Sequence, residues 1–165
     1  MEKHDWSKFS LKINIDADVE DIFNAWSIPG ELEKWFLRSA KFQHNGAELS
    51  KNARVQDGDA YEWLWHGHPD TSIEKGTIRH TNGVDTIGFD FSGGAYVTVE
   101  IADVGGECIC MLTQEDIPTD EHGMVNYNMG CQVGWTFYLT NLKSHLEGGI
   151  DLRNKNMRFA GVVNS

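Results

Sequence analysis

From Met124 to Leu146 the residues Met124, Tyr127, Cys131, Trp135, Tyr138, Leu142 and Leu146 recur in steps of three or four. That spacing is one apolar stripe on a single long helix. Pro118-Thr119-Asp120-Glu121 opens it with a strand stop, cap oxygens and first-turn carboxylates, and Gly148-Gly149 ends it, so the helix is predicted over Thr119 to Glu147. Gly123, Gly130 and Gly134 interrupt the run. Glycine is unfavourable inside a helix, and its presence marks places where another part of the chain approaches closely. A lone helix with one apolar face must bury it against a partner surface, and that requirement constrains everything that precedes it.

The preceding residues read as that surface. Phe9, Leu11, Ile13 and Ile15 alternate with Ser10, Lys12 and Asn14, the period of a strand with one buried face. Asp16-Ala17-Asp18 supplies cap oxygens for a short helix carrying Val19, Ile22, Phe23 and Trp26. Pro29-Gly30 breaks it, and Glu31 to Phe36 restarts a helical turn with Leu32, Trp35 and Phe36 on its apolar side. Ser39 to His44 reads as a strand, and Asn45 to Asp59 as a loop with weak strand character. Strands then follow at Tyr61/Trp63/Trp65, Ile73 to His80, Ile87/Phe89/Phe91, Tyr96 to Ile101 and Cys108 to Gln114. Asn82-Gly83, Gly93-Gly94 and Gly105-Gly106 supply the turns of an antiparallel meander.

The fold class predicted is therefore α+β: a curved antiparallel sheet wrapped around a long C-terminal helix, with two short helices after the first strand. With 165 residues and no internal repeat or linker, the chain reads as one domain over residues 1–165, with residues 150–165 as a loosely docked tail. The formal net charge of −11 argues against a nucleic-acid backbone or an anionic membrane surface as partner. Early charges at Glu2, Lys3 and Asp5 do not fit a secretory signal, and no apolar run is long enough for membrane insertion. Cys108, Cys110 and Cys131 are an odd number without disulfide-framework spacing, which places the protein in the cytoplasm.

Three stretches carry a resemblance: Ile15-Asp16-Ala17-Asp18-Val19-Glu20-Asp21-Ile22-Phe23-Asn24-Ala25-Trp26, Leu32-Glu33-Lys34-Trp35-Phe36, and Gly134-Trp135-Thr136-Phe137-Tyr138-Leu139-Thr140-Asn141-Leu142-Lys143. By these and by element order, the chain from Ser7 to Leu152 resembles the helix-grip superfamily of START lipid-transfer domains, birch-pollen allergen-like proteins and polyketide cyclases. More narrowly, it is similar to the domain homologous to the activator of the Hsp90 ATPase. The resemblance implies a cavity between sheet and long helix that holds lipids or other apolar molecules, and in some branches cyclisation or co-chaperone activity.

The candidate lining is the aromatic and thioether set Tyr61, Trp63, Trp65, Phe89, Tyr96, Met111, Tyr127, Trp135 and Tyr138. Such side chains flank an apolar ligand, although each one also serves as plain core packing. His66-Gly67-His68, near His44 and Asp70, offers two imidazoles but no third ligand at diagnostic spacing, so it reads as a polar hairpin and no metal is expected. Cys108 and Cys110 lack the Cys-x-x-Cys spacing of redox or zinc sites, and Cys131 reads as a small core residue. Alternation turns Glu62, Asp90 and Glu100 toward water, which leaves no catalytic dyad. No phosphate loop or nucleophile elbow is present, and no cofactor is expected. The leading expectation is a binding protein for a small, largely apolar, lipid-like or polyketide-like molecule. Two alternatives stand beside it: an adaptor with a chaperone-like protein partner or a second copy of itself, and a cyclase or dehydratase acting in the same cavity.

Overall fold

The computed structural model describes residues 4–164. The expectations that fall on Met1 to Lys3 and on Ser165 lie outside the described residues. Strand β1 (Phe9–Ile15) leads into helices α1 (Val19–Ser27) and α2 (Pro29–Trp35). Strands β2 (Ser39–His44), β3 (Ala47–Glu48), β4 (Ala60–Leu64), β5 (Glu74–Thr81), β6 (Thr86–Phe91), β7 (Ala95–Val104) and β8 (Glu107–Glu115) follow, and then α3 (Gly130–Leu146). The eight strands form one antiparallel sheet in the order β1-β8-β7-β6-β5-β4-β2-β3. This is the helix-grip architecture that the sequence patterns predict.

Turn chemistry sets the register. Val104 pairs with Glu107 across Gly105 and Gly106, whose φ values of 69° and 92° are those of a tight hairpin turn that side chains disfavour. Asn45 and Gly46, at φ 50° and 81°, do the same between β2 and β3, which accounts for the weak strand character read after His44. Trp65 lies just past the end of β4, and Ile73 just before the start of β5.

The first two strands are neighbours in sequence and nearly opposite ends of the sheet. Helices α1 and α2 cross between them, burying Ile22, Phe23 and Trp26 from one and Leu32 and Trp35 from the other. The Trp26 and Trp35 rings meet edge to face at 4.7 Å, and Trp35 Nε1 donates to the Ala25 carbonyl at 2.9 Å. Helix α3 packs on β1, α2 and α1 and buries Trp135, Leu139 and Leu142. The buried Asn141 amide ties it to the Trp35 carbonyl at 2.7 Å.

The start of the long helix departs from expectation. Helical geometry begins at Glu121 rather than Thr119, and Gly123–Met129 forms a π-helical segment of wider turns before α3. Asp120 Oδ1 accepts from the Gly123 N–H at 2.7 Å and its carbonyl from the Met124 N–H at 2.9 Å, so Asp120 is the predicted cap, and the wider turns follow the one it caps. Gly123 is there because a Cβ on it would lie 1.9 Å from the Pro118 carbonyl oxygen. In the wide turn the Gly130 N–H reaches back to the Val125 carbonyl, and the buried Asn128 amide donates to the Trp6 carbonyl at 2.9 Å.

After α3 the chain returns to α2. Arg153 is buried, and its guanidinium donates to the carbonyls of Lys34 (2.7 Å), Leu37 (3.0 Å) and Glu33 (3.1 Å) and to the Asp151 carboxylate (2.8 Å). The Glu33 and Lys34 carbonyls are orphans at the end of α2 and Leu37 lies just past it, so Arg153 caps that helix from the tail. Burial disfavours the charged Asp151, but the hydrogen bonds from Arg153 and Lys155 outweigh it and hold the carboxyl well below the usual range. Beyond this anchor Met157, Phe159 and Val163 are exposed. Among the described residues no helix is long and apolar enough to cross a membrane.

Candidate ligand cleft

Because α3 leans on β1 and α2, a space remains between its N-terminal half and the strands that end near it. The result is an open cleft of about 390 Å³ with mostly apolar walls. Phe36, at the end of α2, forms its centre. Its ring stacks on Trp135 at 5.1 Å and meets Tyr138 and Trp65 edge-on at 5.0 and 5.6 Å. Phe91, at the end of β6, closes the far side against Trp135 at 5.0 Å. The helix wall is made of Gly130, Cys131, Gly134, Trp135 and Tyr138, with Asn126 from the π-helical segment.

Gly134 has open space beside it: a Cβ there would meet nothing within 4 Å. The expectation that the helix glycines mark close approach of the sheet therefore fails at this position, because the backbone there borders the cleft.

Of the predicted lining residues, Trp65, Trp135 and Tyr138 border this cleft. Tyr61, Trp63 and Phe89 lie beneath it, fully buried, with Tyr61 stacked on Trp63 at 3.8 Å and Trp63 against Phe89 at 5.3 Å. Tyr127 packs over Gly93 beside the cleft, where a Cβ would come within 2.5 Å of its ring. Tyr96 and Met111 lie on the opposite face of the sheet, which corrects their expected inward orientation. Strand β7 turns Val97, Val99 and Ile101 inward, which sends Tyr96 out across Gly88. Strand β8 turns Cys110 and Leu112 inward, which sends Met111 out beside Lys12 and Glu100. Glu62 and Asp90 bond Lys75 and Arg79 at 2.7 and 2.6 Å, and Glu100 is exposed, as alternation predicts.

The cleft's polar groups are few and mostly committed. Trp135 Nε1 donates to Gln114 Oε1 at 2.9 Å, and the Gln114 amide donates to the Tyr127 carbonyl at 3.1 Å. Burial pushes the Cys131 thiol up, and its sulfur faces the Asn126 carbonyl at 3.8 Å, so it is no ready nucleophile. Burial likewise pushes Tyr138 up to about 12 and keeps its hydroxyl neutral. His68 stands exposed at the edge, and burial together with Arg153 lowers the neighbouring His66. Among the described residues no three His, Cys, Asp or Glu side chains converge in a metal-binding group.

Phe36, Phe91 and Ser92 were not in the predicted set. The periodicity of the first two elements marks Phe36 and Phe91 as apolar without saying what they face, and Ser92 sits in a turn with no motif. Gly134 carried the one usable signal, a glycine inside a continuous helical stripe.

Comparison with known proteins bears on this geometry. The model of the activator of Hsp90 ATPase homolog 1-like protein family matches residues 16–147. The chain belongs to that family. The same span of this Hsp90-activator-homologue chain holds Phe36, the ends of β4 and β6, and α3, the walls of the cleft. Solved structures share the fold at low identity. Protein SSP2350 from Staphylococcus saprophyticus is 18% identical with a TM-score of 0.69, over 94% of this chain and 98% of that one. The Aha1 dimer from Colwellia psychrerythraea is 16% identical with a TM-score of 0.64, over 86% and 97%. DynU16, a putative protein in the dynemicin biosynthetic locus, is 16% identical with a TM-score of 0.66, over 90% and 50%. No curated protein matches the chain in sequence.

Proposed function

We propose that this protein binds a small, largely apolar molecule in the cleft between α3, Phe36 and the ends of β4 and β6. The observation that carries the reading is Gly134. A glycine in the interior of a helix costs about 1 kcal/mol relative to alanine, and here nothing stands where the side chain would go. The chain forgoes that stability at a helix position that lines the cleft beside Trp135 and Tyr138. The volume of about 390 Å³ and the aromatic walls are those of small-molecule sites. The biosynthetic locus of DynU16 supports a polyketide-like ligand.

Titration with the neutral dye N-phenyl-1-naphthylamine tests it. Binding at about one site per chain, with enhanced fluorescence, is expected. Gly134→Leu should abolish it, and the outward Glu62→Gln should leave it unchanged. A well-folded protein that does not bind the dye would sink the reading.

An adaptor role is the second reading, favoured by the family's description and by a net charge of −11 that suits a basic partner. The Colwellia relative's dimer supports a different partner, a second copy of the chain, which light scattering tests directly. The open cleft favours the ligand reading over either. The unpaired state of Cys108, Cys110 and Cys131 supports a cytoplasmic location.

A further inference from the structure

One carboxylate faces the cleft side of the sheet. Glu74 opens β5 in phase with the buried Ile78, while its neighbour Lys75 points outward to Glu62. Glu74 is half-buried and makes no ion pair among the described residues. Its Oε2 accepts a hydrogen bond from Ser92 Oγ at 2.7 Å. Ser92 follows β6 and lines the cleft beside Phe91. Burial raises Glu74, an effect that the Ser92 hydrogen bond partly offsets.

This pairing fixes what the cleft offers a ligand. A carboxylate only accepts, so the Ser92 proton is committed to Glu74 and the serine oxygen has only lone pairs left to present. The indole N–H of Trp135 is taken by Gln114 and one N–H of the Asn126 amide by the His122 carbonyl, while the second Asn126 N–H and the Tyr138 hydroxyl also line the cleft. Beside Ser92, then, an incoming O–H or N–H finds an acceptor, and an incoming carboxylate finds a like charge in partly dehydrated surroundings.

We infer that the cleft selects apolar ligands bearing a hydroxyl or amine, such as phenols and aromatic alcohols, over carboxylates such as fatty acids, by presenting Ser92 Oγ backed by Glu74 as a hydrogen-bond acceptor. The inference rests on the ligand reading of the cleft and narrows its substrate class. Ser92 touches the ligand, and Glu74 acts through it.

Three probes of one shape test it by calorimetry: 2-naphthol, 2-methoxynaphthalene and 2-naphthoate. The wild-type protein should bind 2-naphthol about tenfold more tightly than 2-methoxynaphthalene, the value of one good hydrogen bond, and should bind 2-naphthoate most weakly. Ser92→Ala should remove the preference for naphthol over its ether. Glu74→Gln keeps an acceptor for Ser92 and should recover naphthoate binding, a change that a purely structural role would not produce. Equal binding of naphthol and its ether, or an unchanged preference in a folded Ser92→Ala protein, overturns the inference and leaves the ligand reading standing. Failure of all three probes to bind overturns both.

Discussion

Trp135 and Gln114 hold each other from opposite layers: the indole N–H of α3 donates to the side-chain oxygen of β8 at 2.9 Å, with both residues buried. The bond fixes the orientation of the ring against which Phe36 and Phe91 pack, so it sets the floor of the cleft. Trp135→Ala should cost about 3–5 kcal/mol in urea denaturation, the usual range for a buried tryptophan. Gln114→Leu removes little volume but strands the indole N–H, and should cost about 1–3 kcal/mol. A loss below these ranges for both variants would show that the ring is held by something else.

The glycines of the long helix should respond in opposite directions. Gly134→Ala places a methyl in open space and should stabilise the protein by about 0.5–1 kcal/mol. Gly123→Ala drives a Cβ against the Pro118 carbonyl and should destabilise it. Paired thermal melts of the two variants check this.

The Arg153 anchor gives a pH signature. Asp151 ionises more readily in the folded chain than in the unfolded one, so its contribution to stability is complete well above the ordinary carboxyl value of about 3.9 and is lost as pH falls below it toward the lower folded value. The stability difference between wild type and Asp151→Asn should be flat from neutral pH to about pH 5 and shrink in more acid solution. Arg153→Met leaves the helix carbonyls unpartnered and Asp151 without its guanidinium, should cost about 3 kcal/mol, and should open the tail to limited proteolysis.

Dialysis against a strong chelator should leave the melting temperature unchanged, since a structural metal contributes its binding free energy to folding. A fall reversed by zinc would point back to His66 and His68.

The fold was legible because its signals are periodic. Phe9 to Ile15 alternates cleanly, the Met124 to Leu146 stripe keeps its phase, and the glycine pairs stand where the hairpins turn. Alternation puts Tyr96 out of phase with Val97 and Val99, and Met111 out of phase with Cys110 and Leu112, so strand position decides which way they face and aromatic or thioether character does not. The wide turn at Gly123–Met129 was not legible, since no residue pattern separates it from an ordinary helix; it follows from the contacts of Gly123 with Pro118 and of Asn128 with Trp6. The Glu74–Ser92 pair was hidden for another reason. The two residues lie 18 positions apart and meet only because β5 and β6 fold back on one another.

The position of β1 sets an order of events. The strands from β4 to β8 pair with sequence neighbours and form local hairpins as soon as each is made, whereas Phe9, synthesised before all of them, pairs with Gln114. Contacts across such a separation carry a large loop-closure entropy and form late. On the ribosome, β1 must therefore wait until β8 has been made, with Phe9, Leu11, Ile13 and Ile15 unburied. Helix α3, which packs on β1, waits with it. The cleft is consequently the last part of the molecule to be assembled, and a chain stalled before α3 emerges is the species that needs protection from aggregation.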